Sequence, residues 1–259
     1  MVKEDSIVVE NVRYTYADGS LALDNVSFVV RQGEAVALVG PSGAGKSTLL
    51  LCLSGFLFPQ RGDIYIEGTR LTKKNVREIR KRIGLIFQNP DDQLFMPTLY
   101  DDIAFGLLNR GVEGEELDKR VRNAIEERGL KGLEKKFPGR LSGGQKRLAS
   151  LASVLVMEPE ILLTDEPSSN LDPKSRRDLI NNLASLKNTR IIASHDLEMA
   201  LDLCKRAILL DRGKIAADGD AAVIMSDRKL MEDHSLEVPH SLLPHRFEAH
   251  SHRCDSPDE

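Results

Sequence analysis

Residues 40–48 read Gly40-Pro41-Ser42-Gly43-Ala44-Gly45-Lys46-Ser47-Thr48, a glycine-rich loop closed by Lys-Ser-Thr. Ahead of it, residues 35–39 (AVALV) are an apolar, strand-like run; behind it, residues 46–56 form an apolar stretch without proline, suited to a helix. A strand, a glycine turn and a helix start place successive backbone N–H groups around an anion, with the positive helix end behind them. Gly40, Gly43 and Gly45 allow close backbone approach and positive φ. In such a loop Lys46 reaches the β- and γ-phosphates of a nucleotide, and the Ser47 hydroxyl can sit on Mg²⁺. The stretch reads as a phosphate site inside an α/β fold.

Organisation on either side supports that reading. Short strands are expected at 7–9, 22–30, 35–39, 64–67 and 83–87, with Gly19 and Gly33 as turn punctuation. From Tyr100 to Val156 strands vanish and helical periodicity takes over, as in Leu117, Val121, Ala124 and Ile125. Strands return at 161–164, 190–194 and 207–210, each beside a helical segment, which predicts a parallel sheet core. The helical middle, approximately 89–157, is therefore read as a subdomain inserted within one α/β domain spanning 1–232. Residues 233–259 are read as an irregular tail containing histidines.

Composition narrows the function classes. The chain has 259 residues, ample to bury a core, and a net charge of -4, which gives no global pull towards nucleic acid. Its three cysteines (Cys52, Cys204, Cys254) are dispersed without a Cys-x-x-Cys pair, as suits a reducing compartment. The charged N-terminus lacks a secretory core, and the longest nearly apolar stretch, 49–58, is far short of the ~20 residues that span a bilayer. A cytoplasmic protein is expected, with any membrane association arriving through a partner.

Three further groups carry chemistry. Leu141-Ser142-Gly143-Gly144-Gln145 is a glycine-rich helix start with no obvious ligand in its own neighbourhood. Ile161-Leu162-Leu163-Thr164-Asp165-Glu166 is an apolar strand ending in two acids, which strand alternation aims differently. Asp165 is suited to hold Mg²⁺ through a water, and Glu166 to act as general base on an attacking water. His195 follows the buried run 191–194, at a strand's carboxyl end where α/β sites collect.

Taken in order, these motifs resemble the nucleotide-binding subunit of ATP-binding-cassette (ABC) transporters across nearly the whole chain. The resemblance implies the fold class: a P-loop NTPase domain of ABC type, with an N-terminal antiparallel β region and an inserted helical subdomain. It implies that Tyr16 stacks on adenine, that Gln88 is the Q-loop glutamine, and that 141–145 is the family signature. Ser169-Asn170-Leu171-Asp172 matches the D-loop, and His195 the switch histidine that joins Glu166 and Lys46 in catalysis. Ser47, Gln88 and Asp165 are implied to hold Mg²⁺. The signature's Ser142, Gly143 and Gly144, with Asp172, are implied to face the phosphate loop of a second ATPase subunit, in a homo- or heterodimer. Three departures stand out: Asn170 in the D-loop, Thr164 in the run before Asp165, and Leu148 where many members carry arginine.

A narrower likeness lies in Gln88-Asn89-Pro90-Asp91-Asp92-Gln93-Leu94-Phe95, continued by TLYDDIAFGL at 98–107. With 156–160, 195–201, 213–219 and 230–242, it resembles the ATPases of energy-coupling-factor (ECF) transporters, particularly the cobalt/nickel-uptake branch. That implies a membrane T component, whose basic coupling helices enter a groove beside Asp91 and Asp92, and a substrate-binding membrane subunit. It places the chain on the cytoplasmic face of the cell membrane. ECF ATPases for vitamin uptake and non-transport ABC ATPases, such as those of iron–sulfur assembly, are the alternatives. Five of six histidines (His234, His240, His245, His250, His252) lie in the last 26 residues. Their irregular spacing favours a polar tail over a metal site.

Overall fold

The computed structural model describes residues 5–243. The chain opens with an antiparallel pair, β1 (Asp5–Thr15) and β2 (Leu21–Arg31), then enters the main sheet at β3 (Ala35–Val39). Helix α1 (Lys46–Leu53) leads to β4 (Arg61–Ile66), the two-residue β5 (Thr69–Arg70), α2 (Val76–Arg80) and β6 (Ile83–Ile86). Three helices follow: α3 (Leu99–Leu108), α4 (Gly114–Glu127) and α5 (Gly143–Leu155). The chain then alternates through β7 (Ile161–Asp165), α6 (Pro173–Ala184), β8 (Thr189–Ala193), α7 (Leu197–Leu203) and β9 (Arg206–Asp211). It closes with β10 (Lys214–Asp220), α8 (Ala221–Ser226) and α9 (Arg228–Asp233).

The smaller sheet has the order β2-β1-β4-β5 and is antiparallel throughout. The larger runs β10-β9-β3-β8-β7-β6 and is parallel except for β10. The expected α/β class with its antiparallel β region and helical insertion is the observed one.

Strand periodicity divides the core in two. Val36 and Leu38 of β3, Leu163 of β7, Ile191 of β8 and Ile208 and Leu210 of β9 face α1 and the antiparallel sheet. Their neighbours Ala37, Val39, Leu162, Ile192, Ala207 and Leu209 face α5, α6, α7 and α8 on the other side. Apolar residues on both faces are what a strand covered by layers on each side requires. The helical segment has its own core, in which Leu99, Ile103, Leu107, Val121, Ile125 and Ala152 meet.

Parallel pairing has one outcome that matters for function. The carboxyl ends of β3, β6, β7 and β8 lie along one edge of the sheet. That edge carries the 40–48 loop, Gln88, Asp165 with Glu166, and His195. Two elements were absent from the sequence reading. Strand β10 (KIAADGD) lacks a β-branched run and forms because β9 offers it a partner edge. Beyond 233, Leu236, Val238 and Leu242 pack on the second core, and His234 Nδ1 lies 2.9 Å from Asp211 Oδ2. His245, His250, His252 and Cys254 lie outside the described residues. Burial pushes the Cys52 and Cys204 thiols up to about 12.

Close packing of α5 on the sheet gives a direct test. A Cβ at Gly84 of β6 would stand 2.3 Å from Val154 Cγ1 and 3.0 Å from Pro159 Cγ. Gly84→Ala is expected to destabilise the fold by about 1–3 kcal/mol through overpacking. Urea unfolding reads this as a lower midpoint at unchanged slope; an unchanged midpoint would contradict the packing.

Candidate functional site

Helix α1 starts at Gly45, which holds φ +106°, and no side chain caps it. Its first N–H groups are therefore left for an anion. Glycine is required here for space as well as conformation. A Cβ at Gly40 would lie 2.0 Å from the Leu210 carbonyl oxygen, and one at Gly45 2.4 Å from that of Ala22. The loop and α1 line a cavity of about 470 Å³ together with Tyr16, Ser20, Leu21, Ala22, Gln88, Glu166 and His195.

Lys46 is buried, and its Nζ donates to the carbonyls of Gly40 (2.7 Å) and Pro41 (3.1 Å). Burial lowers its pKa, partly offset by the Glu166 and Asp165 carboxylates. An incoming phosphate would thus offer this ammonium a stronger acceptor than the two carbonyls.

Glu166 is the most constrained group in the site. It is buried at φ +45°, a left-handed conformation uncommon for a non-glycine residue and restricted further by Pro167. Such backbone strain costs about 1–3 kcal/mol and is retained only where the surroundings over-determine it. Here they do. Glu166 Oε2 accepts from the His195 N–H at 3.0 Å and the Ser194 hydroxyl at 3.3 Å, and lies 2.7 Å from His195 Nδ1. Glu166 Oε1 is left facing Lys46 Nζ at 4.0 Å.

Asp165 sits one residue back, its side chain against the Ser47 hydroxyl. Burial raises its carboxyl pKa, the Ser47 hydrogen bond opposes that, and the Glu166 charge reinforces it. Asp165 Oδ1 is buried without a hydrogen-bond partner among the described residues. An orphaned carboxylate oxygen beside a serine hydroxyl fits a hard divalent cation.

At the cavity mouth, Tyr16 is half-exposed, its hydroxyl 2.9 Å from Thr48 Oγ1. Its ring meets Tyr14 edge to face at 5.0 Å and 87°. Thus Tyr16, Ser42 to Thr48, Gln88, Glu166 and His195 come together, while Gly40 and Pro41 support Lys46 from beneath.

The 141–145 segment lies elsewhere. Ser142 caps α5 in a reciprocal capping box with Gln145 and is exposed, as is Gly143. Asp172 caps α6 by accepting from the N–H groups of Lys174 and Ser175, and its Oδ2 takes the Ser175 hydroxyl at 2.6 Å. A Cβ at Gly144 would lie 2.2 Å from Ser175 Oγ, so these two helix starts are packed together. None of Ser142, Gly143, Gly144 or Asp172 lines the 470 Å³ cavity of its own chain.

This ordered set coincides with a family match: the profile described as ABC transporter covers residues 23–169. The chain belongs to the ABC transporter family. It is an ABC-type ATPase. A Gloeobacter violaceus protein named as an ABC transporter ATP-binding protein is 50% identical over 92% of this cassette and 98% of its own length. The energy-coupling factor transporter ATP-binding protein EcfA of Methanothermobacter thermautotrophicus is 40% identical over 90% of this chain and 76% of that one. Among solved structures, cbiO1 of Clostridium perfringens, part of the ABC transporter complex cbiONQ, superposes with TM-score 0.79 at 33% identity. That match covers 92% of this chain and 98% of that one. A dimeric ATP-binding cassette in a post-hydrolysis state with ADP and Pi superposes at TM-score 0.75 and 29% identity, over 83% and 98%.

Sequence reasoning missed several contributors. Ser20, Leu21 and Ala22 line the cavity mouth, and only their nearness to Tyr16 hinted at it. Asp91 does not stand free for a partner, because Lys146 Nζ meets its Oδ1 at 2.6 Å in a half-exposed pair. Arg147 is buried and donates to the Phe87 and Gln88 carbonyls, a link invisible at a separation of 60 and 59 residues. No helix among the described residues is long and apolar enough to cross a membrane.

The Tyr16–Thr48 link is testable. Thr48→Val keeps the branched shape and removes the hydroxyl, which is expected to weaken nucleotide affinity by about 0.5–1.5 kcal/mol. Equilibrium titration with a fluorescent ATP analogue checks it; unchanged affinity would mean the ring needs no such anchor.

Proposed function

We propose that this chain is the energy-coupling subunit of an ECF-type importer for cobalt or nickel ions, driven by ATP-dependent dimerisation at the cytoplasmic face of the cell membrane. One observation carries the metal-ion reading: the likeness to cbiO1 over nearly all of both chains. The EcfA-named relatives support the ECF type, and with it a membrane T component and a substrate-binding membrane subunit as partners. Those partners, not this chain, select the ion.

The site geometry supports the following chemistry. Adenine stacks on Tyr16, and the 42–48 loop and α1 receive the phosphates. Lys46 leaves the Gly40 and Pro41 carbonyls for the β- and γ-phosphates. Mg²⁺, held by Ser47 and Asp165 with Gln88 beside them, would neutralise charge on the β- and γ-oxygens. Glu166 accepts a proton from the attacking water, whose oxygen bonds the γ-phosphorus as the bond to the ADP oxygen breaks. Oε2 is committed to His195 and Ser194, so Oε1 is the oxygen left for that proton. His195 thereby aims the base.

The exposed Ser142 start of α5 supports a second half of the site supplied by another ATPase subunit. The Ser142 oxygen accepts from the Gln145 N–H, and its proton remains free to donate. The N–H groups of Gly143 and Gly144 stand at the positive end of the same helix. Asp172 lies at the same seam through Ser175. The dimeric post-hydrolysis cassette supports this arrangement.

Glu166→Gln is expected to reduce kcat by about 10²- to 10⁴-fold and to trap an ATP-stabilised dimer on size exclusion. Normal turnover would sink the base assignment. Ser142→Arg is expected to abolish turnover while leaving ATP affinity within about threefold, since uniform binding by the loop is untouched. For the cargo, vesicles holding this ATPase with its membrane partners are expected to accumulate labelled cobalt or nickel in an ATP-dependent way. Uptake of a vitamin with no metal uptake would overturn the metal-ion reading.

A further inference from the structure

Arg147 is 2% exposed in α5, and no carboxylate pairs with it among the described residues. Its Nη1 donates to the Phe87 carbonyl at 2.8 Å and its Nη2 to the Gln88 carbonyl at 2.7 Å, while Nε has no partner. A buried, uncompensated charge is costly, so stability does not account for an arginine here. What its rigid fork provides is geometry: two successive carbonyls are held by one guanidinium against one helix.

Neighbouring links act in the same place. Gln93 Nε2 donates to the Ser150 carbonyl at 2.7 Å and contacts Ser153 Oγ at 3.0 Å, and Lys146 pairs with Asp91. Residues 87–93 are thus fastened to α5 at three levels. At one end of this unit Gln88 enters the nucleotide cavity; at the other, Ser142, Gly143 and Gly144 open α5 away from it. We propose that Arg147 is a positioning residue, whose guanidinium makes Gln88 and the α5 start move as one body. The proposal rests on the dimeric reading above, in which these two ends serve different nucleotides. The two ATP sites are then coupled within each subunit through a side chain that touches neither nucleotide.

Arg147→Lys keeps the charge and loses the fork; Arg147→Gln removes the charge as well, so that one folded variant suffices. In the full-length chain, either is expected to lower kcat by about tenfold and bring the Hill coefficient for ATP towards one, within the usual range of intersite coupling. Equilibrium binding of a fluorescent ATP analogue should stay within about twofold, since the phosphate loop is untouched. The distinguishing measurement is a cycle with Gln88→Ala. If Arg147 acts through Gln88, adding Arg147→Lys to Gln88→Ala costs less than about twofold further in kcat. Wild-type kcat and cooperativity in both variants, or full multiplication of the two losses, would overturn the proposal. A wild-type protein that neither dimerises nor hydrolyses ATP cooperatively would instead bring down the functional reading on which it stands.

Discussion

The parallel register of β3, β8, β7 and β6 is the constraint on which the rest depends. Leu38 opposite Ala193, Asp165 opposite Ala193, and Ile86 opposite Thr164 bring four strand ends to a common edge. Each strand then releases a different functional group at that edge. Shifting any one of them by a single residue would turn its side chains to the opposite face and empty the site of that group. Apolar packing on both faces keeps the register from slipping, because the apolar residues of these strands are divided between the two cores.

Much of this was legible because the relevant signals are local. The 40–48 loop announces itself through three glycines and a lysine, and the 161–166 run through four mostly apolar residues followed by two acids. Their meeting in space follows from general rules for parallel sheets. Pairings between distant residues were not legible. Nothing near Asp91 predicts Lys146, and nothing in KIAADGD announces a strand, because β10 takes its structure from the edge of β9. The left-handed backbone at Glu166 was also hidden, since glutamate has no preference for it. It is imposed by hydrogen bonds from residues 194 and 195 to the carboxylate.

The site also concentrates energetic cost. Lys46, Glu166 and Arg147 are charged types largely withdrawn from water, and Asp165 Oδ1 lacks a partner. Glu166 adds backbone strain. A fold optimised for stability alone would have replaced several of them with apolar groups. The two apolar cores on either face of the sheet offset these costs.

The contact between Gly84 and Val154 has a mechanical consequence. It fixes α5 near its carboxyl end against the sheet, while Ser142 caps the same helix twelve residues before Val154. At 1.5 Å per residue, that is an arm about 18 Å long turning on a glycine fulcrum. A rotation of about 10° there would carry the Ser142 tip by about 3 Å, roughly the length of one hydrogen bond. A small tilt of the helical region is therefore enough to make or break the tip's contacts.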